Sequence, residues 1–337
     1  MTAARLLVAA LRDPGSVAGL SAEQWTALLT AARAERLIGT LAHRLDRRAV
    51  PATVARILAD AEEGAKQERR AALWEAEMAR RALVALDVPV VLLKGTAFAA
   101  AGLDAGQGRS IGDLDILVPC DALDAVEQAL RAFGWEPVKE DAYDDAYYRR
   151  WMHELPPLIH RERDRMIDVH HTILPPTARP TPDAEALLAD AVPLGNGLSI
   201  LSPADMVVHA AAHLYADGDL AGGLRNLWDI DRLLREFASD DFWRQLDEQA
   251  RRHDLAGAVR RALRQAADLY GAPIPDGWRA RFTVDPLYRR RLLARDGWGR
   301  QGHSFTRLGF YIRSHWLRMP PLMLARHLWT KATRKPA

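Results

Sequence analysis

Three aspartates set in apolar surroundings are the residues of this chain best placed to do chemistry. Asp113 and Asp115 stand two apart in the run Asp113-Leu114-Asp115-Ile116-Leu117-Val118. Such a run reads as a strand, whose successive side chains point to opposite faces. Both carboxylates then share one face, while Leu114, Ile116 and Val118 take the other. Two like charges side by side repel and need a cation. Mg²⁺ suits carboxylate oxygen, with water and phosphate completing its shell. Two such ions about 3.5–4 Å apart can clamp the attacking and leaving oxygens of a phosphoryl transfer. Asp168 is the natural third ligand, because it lies inside a second apolar run, Met166-Ile167-Asp168-Val169. A strand laid beside the first would bring it to the same metals. An Asp-x-Asp pair alone is commonly a turn or a solvated edge. Here the apolar setting, the Gly-rich stretch ahead of it and the third aspartate downstream favour metal binding.

Other polar residues surround this triad in the sequence. Lys94 and Arg109 are candidate phosphate ligands, since a cation offsets charge on a triphosphate and a guanidinium can grip it with two bonds. The competing readings are a solvated strand-end charge for Lys94 and a salt bridge to Asp113 for Arg109. His170 shares a face with Asp168 by the period of two, and so can bond that carboxylate or line an acceptor site. His171 faces the other way and reads as structural. His209 and His213 are four apart on an expected helix, a spacing that can bind zinc. Ala210 stands where a His-Glu-x-x-His motif needs its glutamate, so packing or substrate contact through His213 is the better reading. Asp229 follows Trp228 on another expected helix, where it touches substrate or caps a neighbouring helix.

The elements that must position these residues fall into four segments. Residues 1–84 read as helical, with Ser21 and Gln24 forming a capping-box signature and a long Ala/Glu/Arg-rich pattern from Val54 to Leu83. Residues 85–182 form a small α/β core. Val88 to Leu93 is a buried strand, Phe98 to Ala101 opens a helix, and Gly102 to Gly112 is a loop with four glycines. Asp121 to Phe133 is helical, and Leu158-Ile159-His160 with Met166 to His170 reads as a β-hairpin. Residues 183–285 are a helical domain that completes the cleft, with helices at Ala204–Tyr215, Leu224–Phe237, Phe242–His253 and Leu255–Tyr270. Residues 286–337 are a basic helical tail. The fold class is therefore α+β, a small mixed sheet flanked by N- and C-terminal helical regions.

Composition narrows the classes. The chain has 337 residues, 49% hydrophobic and 27% charged, with one cysteine, Cys120. A disulfide framework and a cysteine-rich zinc site are excluded, and a cytoplasmic setting is expected. No window reaches the ~20 apolar residues of a membrane span, and the apolar start at Leu6–Leu11 is too short for a signal core. The net charge of +2 hides an asymmetry: the tail from Pro286 carries twelve Lys or Arg and one acid, a net of +11, which leaves −9 for the remainder. The tail's aromatics and basic residues, with Leu317 to Leu324 beside Arg326 and Lys331, fit packing onto the acidic body, with peripheral contact to an anionic membrane as the alternative. No stable nucleic-acid partner is expected, and oligomeric state is not readable.

The motifs together resemble a family of largely uncharacterised bacterial nucleotidyltransferases within the polymerase-β-like superfamily. The resemblance rests on Leu92-Leu93-Lys94-Gly95, Arg109, Gly112 to Val118, Gly134-Trp135 and Asp168-Val169-His170. It continues in Leu201-Ser202-Pro203-Ala204-Asp205, His213 and Leu224-Arg225-Asn226-Leu227-Trp228-Asp229-Ile230, and covers roughly residues 85 to 240. It implies an NTP bound through two Mg²⁺ ions at Asp113 and Asp115, with Asp168 the third carboxylate, assisting deprotonation of an acceptor hydroxyl. Gly95-Thr96 falls where the superfamily carries Gly-Ser at a helix start, where backbone N–H groups meet the triphosphate. Sixteen residues separate Thr96 from Asp113, more than is usual there, and Thr replaces the commoner Ser. The expected activity is transfer of NMP to a hydroxyl of a small-molecule, sugar or peptide acceptor, in a biosynthetic setting. The alternatives are phosphate-group transfer on the same scaffold and a non-catalytic nucleotide-binding or scaffold protein.

Overall fold

The protein is described by a computed structural model covering residues 2–139, 142–279, 283–318 and positions 320, 324 and 329. Its α+β architecture is built on a seven-stranded mixed sheet with the order β3-β4-β5-β2-β1-β7-β6. The strands are β1 (Val91–Leu92), β2 (Asp113–Leu117), β3 (Trp135–Pro137), β4 (Leu158–His160), β5 (Met166–His170), β6 (Val192–Pro193) and β7 (Ser199–Ile200). The central pair, β2 and β5, runs parallel; β4 and β5 form the expected antiparallel hairpin. The apolar face of the pair carries Leu114, Ile116, Ile167 and Val169, all buried. It is this face that anchors the two strands in the core and leaves the aspartates to the other side.

The long Ala/Glu/Arg pattern is a single 32-residue helix, Ala52–Leu83, packed on β2. It holds the sheet by polar ties as well as by burial. Buried Glu75 receives Arg163 from the β4–β5 turn at 2.6 Å. Glu68 accepts the Ile111 N–H at 3.0 Å, and Arg69 donates to the Ala99 carbonyl at 2.7 Å. The loop that delivers Asp113 is thereby fixed at both ends. Gly108 within it has φ +62 and lies against the backbone of Gly39, so a side chain there would collide with the Gly39 carbonyl.

The structure differs from the sequence reading at three places. The helix expected to open at Phe98 begins at Lys94 and runs Lys94–Ala100, placing Lys94, Gly95 and Thr96 in its first turn. The extended part of the Val88–Leu93 run is only Val91–Leu92. Strands β3, β6 and β7 are two or three residues long, too short to show alternation. The later helices lie within a few residues of expectation: Pro203–Ala212, Gly223–Phe237, Asp240–Arg252 and Ala256–Tyr270. The first of these passes into a π-helical turn, His213–Asp217. No helix among the described residues is long and apolar enough to cross a membrane.

One hydrophobic cluster runs from Ala3 to Phe310 and takes residues from all four sequence segments. The described part of the tail packs on the body. Tyr288 and Phe310 are buried, Arg313 donates to the Tyr215 carbonyl at 2.7 Å, and the Arg318 carbonyl accepts from Thr177 at 2.6 Å. Phe305, Leu308, Ile312 and Trp316 of helix Ser304–Arg318 remain exposed. Most of the chain after Arg318, including Arg326 and Lys331, lies outside the described residues. A polar anchor of the tail is Arg295, whose Nε meets the buried carboxylate of Glu35 at 2.6 Å. Glu35 also accepts the Leu224 N–H at 3.3 Å. Removing one partner of a buried pair leaves the other charge uncompensated, at a cost of about 3–5 kcal/mol. We expect Arg295→Ala to lower stability to chemical denaturant by this order. Glu35→Gln in the same background should recover part of the loss, because the buried charge goes while Leu224 keeps its acceptor. Equal stability of wild type and Arg295→Ala would show the tail anchor to be dispensable.

Candidate active site

The register of the central strands decides the geometry. Asp115 pairs directly with Asp168 across β2 and β5, Asp113 pairs with Met166, and Leu117 with His170. By the period of two, Asp113, Asp115, Asp168 and His170 share one face. Cβ atoms of directly opposed residues lie about 5 Å apart, so like charges there repel. The three carboxylates have unequal environments: Asp113 is exposed, Asp168 half-buried, Asp115 buried.

Asp115 is the compensated one. Lys94 Nζ donates to its Oδ1 at 2.5 Å, and His170 Nε2 lies 3.0 Å from the same oxygen. Burial would raise its pKa, but Lys94 and His170 outweigh that and hold it well below the usual carboxylate range. Burial likewise opposes the charge on Lys94, and Asp115 reverses the effect, leaving the ammonium above its ordinary value. Lys94 reaches this position from a left-handed backbone, φ +49, an uncommon conformation for a residue with a side chain. Asp168 is the uncompensated one. Its Oδ1 is buried without a hydrogen-bond partner. Burial first, then repulsion from Asp115 and Asp113, push its pKa up to about 7. A hard cation bound by this face would relieve both. Carboxylate oxygens are the ligand type that suits Mg²⁺.

A cleft of about 410 Å³ opens beside the carboxylates. Asp113, Asp115, Lys94, Gly95 and Arg109 line it together with Arg36, Arg225, Asn226, Arg295 and His213. Arg109 does not pair with Asp113. It bonds Asp229, which also receives Arg225 Nη1 at 3.2 Å. Arg225 is further held by the Arg36 carbonyl at 2.8 Å and Thr40 Oγ1 at 2.5 Å. Asp229 thus orients two guanidiniums. Gly95 is needed for this arrangement: a Cβ there would lie 2.5 Å from Arg109 Nε. The long interval between Thr96 and Asp113 is the chain that carries Arg109 back over Gly95. Thr96 is buried, its hydroxyl has no hydrogen-bond partner, and it does not line the cleft.

His170 bonds Asp115, not Asp168. His171 bonds the Met152 carbonyl at 3.1 Å, which fits a structural part. His213 lies on the π-turn and lines both the main cleft and a smaller recess of about 60 Å³ beside it. His209 is buried and lines the recess alone; burial and nearby Lys94 keep its pKa well below the ordinary value. The sequence reading missed Arg36 and Arg295, which come from the N-terminal helices and the tail. No spacing signal marks either one. Arg225 and Asn226 stood inside a quoted motif without being given a role.

The titration of Asp168 makes a stability prediction. A carboxyl whose folded pKa lies above its unfolded one binds its proton more tightly when native. Native stability therefore falls as pH rises from about 3.8 to about 7 through this group, and the penalty is fully present above pH 7. In EDTA at pH 8 we expect Asp168→Asn to melt higher than wild type, by on the order of a few °C. Near pH 4 the gain should shrink toward zero. Mg²⁺ at pH 8 should raise the wild-type melting temperature more than that of the variant. Parallel melting-versus-pH curves for the two proteins would refute the assignment.

The strand-borne carboxylates and the cleft they border, apart from its lining residues Arg295 and Gln301, fall within one family match. No curated protein matches the chain at a significant level. A family model described as an uncharacterised nucleotidyltransferase matches residues 21–271, from the capping serine Ser21 to Gly271, well beyond the 85–240 core of the motifs. By that match over most of its length, the chain belongs to this nucleotidyltransferase family.

Proposed function

We propose that the protein is a Mg²⁺-dependent enzyme that transfers a nucleoside monophosphate from an NTP to a hydroxyl group, releasing pyrophosphate. The acceptor class is a small metabolite, a sugar or a peptide. The observation that carries this reading is the cross-strand pairing of Asp115 with Asp168, with Asp113 on the same face, beside a cleft lined by four arginines and Lys94. Asp113, Asp115 and Asp168 would hold the metal. When bound, Mg²⁺ neutralises charge on the phosphates and aligns the reacting groups.

The chain's own residues account for the remaining tasks. Arg109 and Arg225, fixed in place by Asp229, present donors to the phosphates, where charge-assisted bonds are strongest. Gly95 lets Arg109 lie across the first turn of its helix, so the guanidinium and not the Thr96 hydroxyl is the group presented there. Asp168, whose Oδ1 has no hydrogen-bond partner in the protein, is poised to take the proton of the acceptor hydroxyl as a general base. The acceptor oxygen then bonds the α-phosphorus, the bond from that phosphorus to the bridging oxygen breaks, and pyrophosphate leaves with the electron pair. Positioning and charge stabilisation carry most of the catalysis in such a transfer.

The test is pyrophosphate release across four NTPs with pooled acceptors and Mg²⁺. Asp113→Asn and Asp115→Asn should abolish release while the fold survives by circular dichroism. Asp168→Ala should lower turnover by about 10² or more, with a smaller change in NTP affinity. NTP binding without any pyrophosphate would instead indicate a binding protein, and orthophosphate release would indicate phosphate-group transfer. Near wild-type turnover in either asparagine variant would remove the metal assignment.

A further inference from the structure

Behind Asp115 lies a second donor cluster that the transfer reading does not use. His153 and Glu154 follow helix Ala142–Trp151 and are pinned to β5 by its backbone. Glu154 forms a β-bridge with His170, the Leu155 N–H donates to the Val169 carbonyl at 2.9 Å, and the His171 N–H donates to the His153 carbonyl at 2.9 Å. Those bonds bring three side chains together. His170 Nδ1 lies 3.5 Å from Glu154 Oε2, and His153 Nε2 lies 3.9 Å from that oxygen. The two imidazole centroids are 5.2 Å apart. One donor atom from each residue lies within 4.8 Å of the other two.

We propose that His153, Glu154 and His170 form a second metal site, one that takes a borderline-soft divalent ion such as Zn²⁺. Zinc binds imidazole nitrogen and carboxylate oxygen at about 2.0–2.2 Å in tetrahedral geometry, which places neighbouring donors roughly 3.3–3.6 Å apart. The Glu154 distances fall at or just beyond that spacing. Two nitrogens and one oxygen suit Zn²⁺ better than Mg²⁺, which prefers an all-oxygen shell. The protonation pattern is already set. With His170 Nε2 facing the Asp115 carboxylate, that nitrogen carries the hydrogen and Nδ1 keeps its lone pair. Nδ1 of His170, the nitrogen that faces Glu154, is buried without a hydrogen-bond partner, a costly arrangement for a polar atom. A ligating histidine that gives its other N–H to a carboxylate is the usual way such sites fix ring orientation. His170 is then a ligand that also ties the zinc to the Asp115 carboxylate lining the cleft.

The inference does not depend on transfer activity, and neither does its test. Full-length protein is stripped with EDTA and titrated with Zn²⁺ by calorimetry in excess Mg²⁺, and separately with Co²⁺ while its visible absorption is followed. We expect one Zn²⁺ equivalent to bind despite the Mg²⁺, and a Co²⁺ spectrum of low coordination number with nitrogen ligands. Glu154→Gln and His153→Ala should each weaken Zn²⁺ binding at least tenfold, while Asp113→Asn leaves it within twofold. No zinc binding by the wild type would overturn the proposal whatever the variants do. So would zinc binding that is lost with Asp113→Asn and kept with Glu154→Gln, because the ion would then sit on the carboxylate face. If His153→Ala fails to fold, Glu154→Gln and the wild-type cobalt spectrum still decide.

Discussion

Parallel pairing of β2 and β5 forces Asp115 and Asp168 to face each other across neighbouring strands, and much of the site follows from the repulsion this creates. A pair of carboxylates so placed cannot both be comfortably ionised without a cation. The fold answers unevenly. Asp115 receives Lys94 and His170 and stays charged; Asp168 receives neither, and its pKa rises. One carboxylate is thus a fixed negative charge and the other a group able to exchange a proton near neutrality. Unlike environments for like groups are a familiar way for one site to supply two chemical roles. The apolar reverse face of the same strands makes the arrangement rigid, since slipping either strand by one residue would bury the aspartates in the core.

The cleft that Asp113 and Asp115 line is not built by the sheet alone. Arg225 comes from helix Gly223–Phe237, Arg36 from the turn that follows helix Ala22–Ala34, and Arg295 from the tail. Glu35 joins helix Gly223–Phe237 to the tail, accepting from both Leu224 and Arg295. Burial pushes its carboxyl up, and the Arg295 guanidinium counters this. A single buried acid therefore couples the N-terminal helices, the C-terminal helical region and the tail at the rim of the cleft. The family match runs from Ser21 to Gly271, so Arg295 and Gln301 of the cleft wall lie outside the matched region.

The centre of this arrangement was legible in the sequence because it obeys a short period. Alternation in Asp113 to Val118 and Met166 to His170 put the acids on one face, and the structure keeps them there. The capping box at Ser21 and Gln24 is likewise present as both of its bonds. What was illegible is long-range. Asp229 partners Arg109 over a separation of 120 residues, and no local pattern encodes that. Lys94 was read at a strand end, yet it opens a helix from a left-handed backbone that lysine rarely adopts, so propensity argued against its true position. The strands β6 and β7 are two residues each, stabilised by their neighbours and not by any pattern of their own. The His153–Glu154 pair passed unnoticed because its partner, His170, is brought to it by a β-bridge between segments that are not adjacent in sequence.

Charge pairing along the cleft explains how so many cations can line it without a bound anion. Four arginines and a lysine in one partly enclosed space would repel strongly if left uncompensated. Asp229 takes two of the guanidiniums, Glu35 a third, and Asp115 the ammonium. Each acid thereby orients its cation and lowers the cost of burying it. Arg109 and Arg225 share a single carboxylate, so that pair keeps a net positive charge and spare N–H donors. Arg225 shows the strain of this: burial, only partly offset by Asp229, brings its pKa down to about 10. A polyphosphate entering the cleft would supply the anion the shared Asp229 cannot, without any need to break the bonds that hold the guanidiniums in place. Donors held in advance need little rearrangement when charge develops on a leaving group, and this is the electrostatic advantage of orienting two arginines from one aspartate.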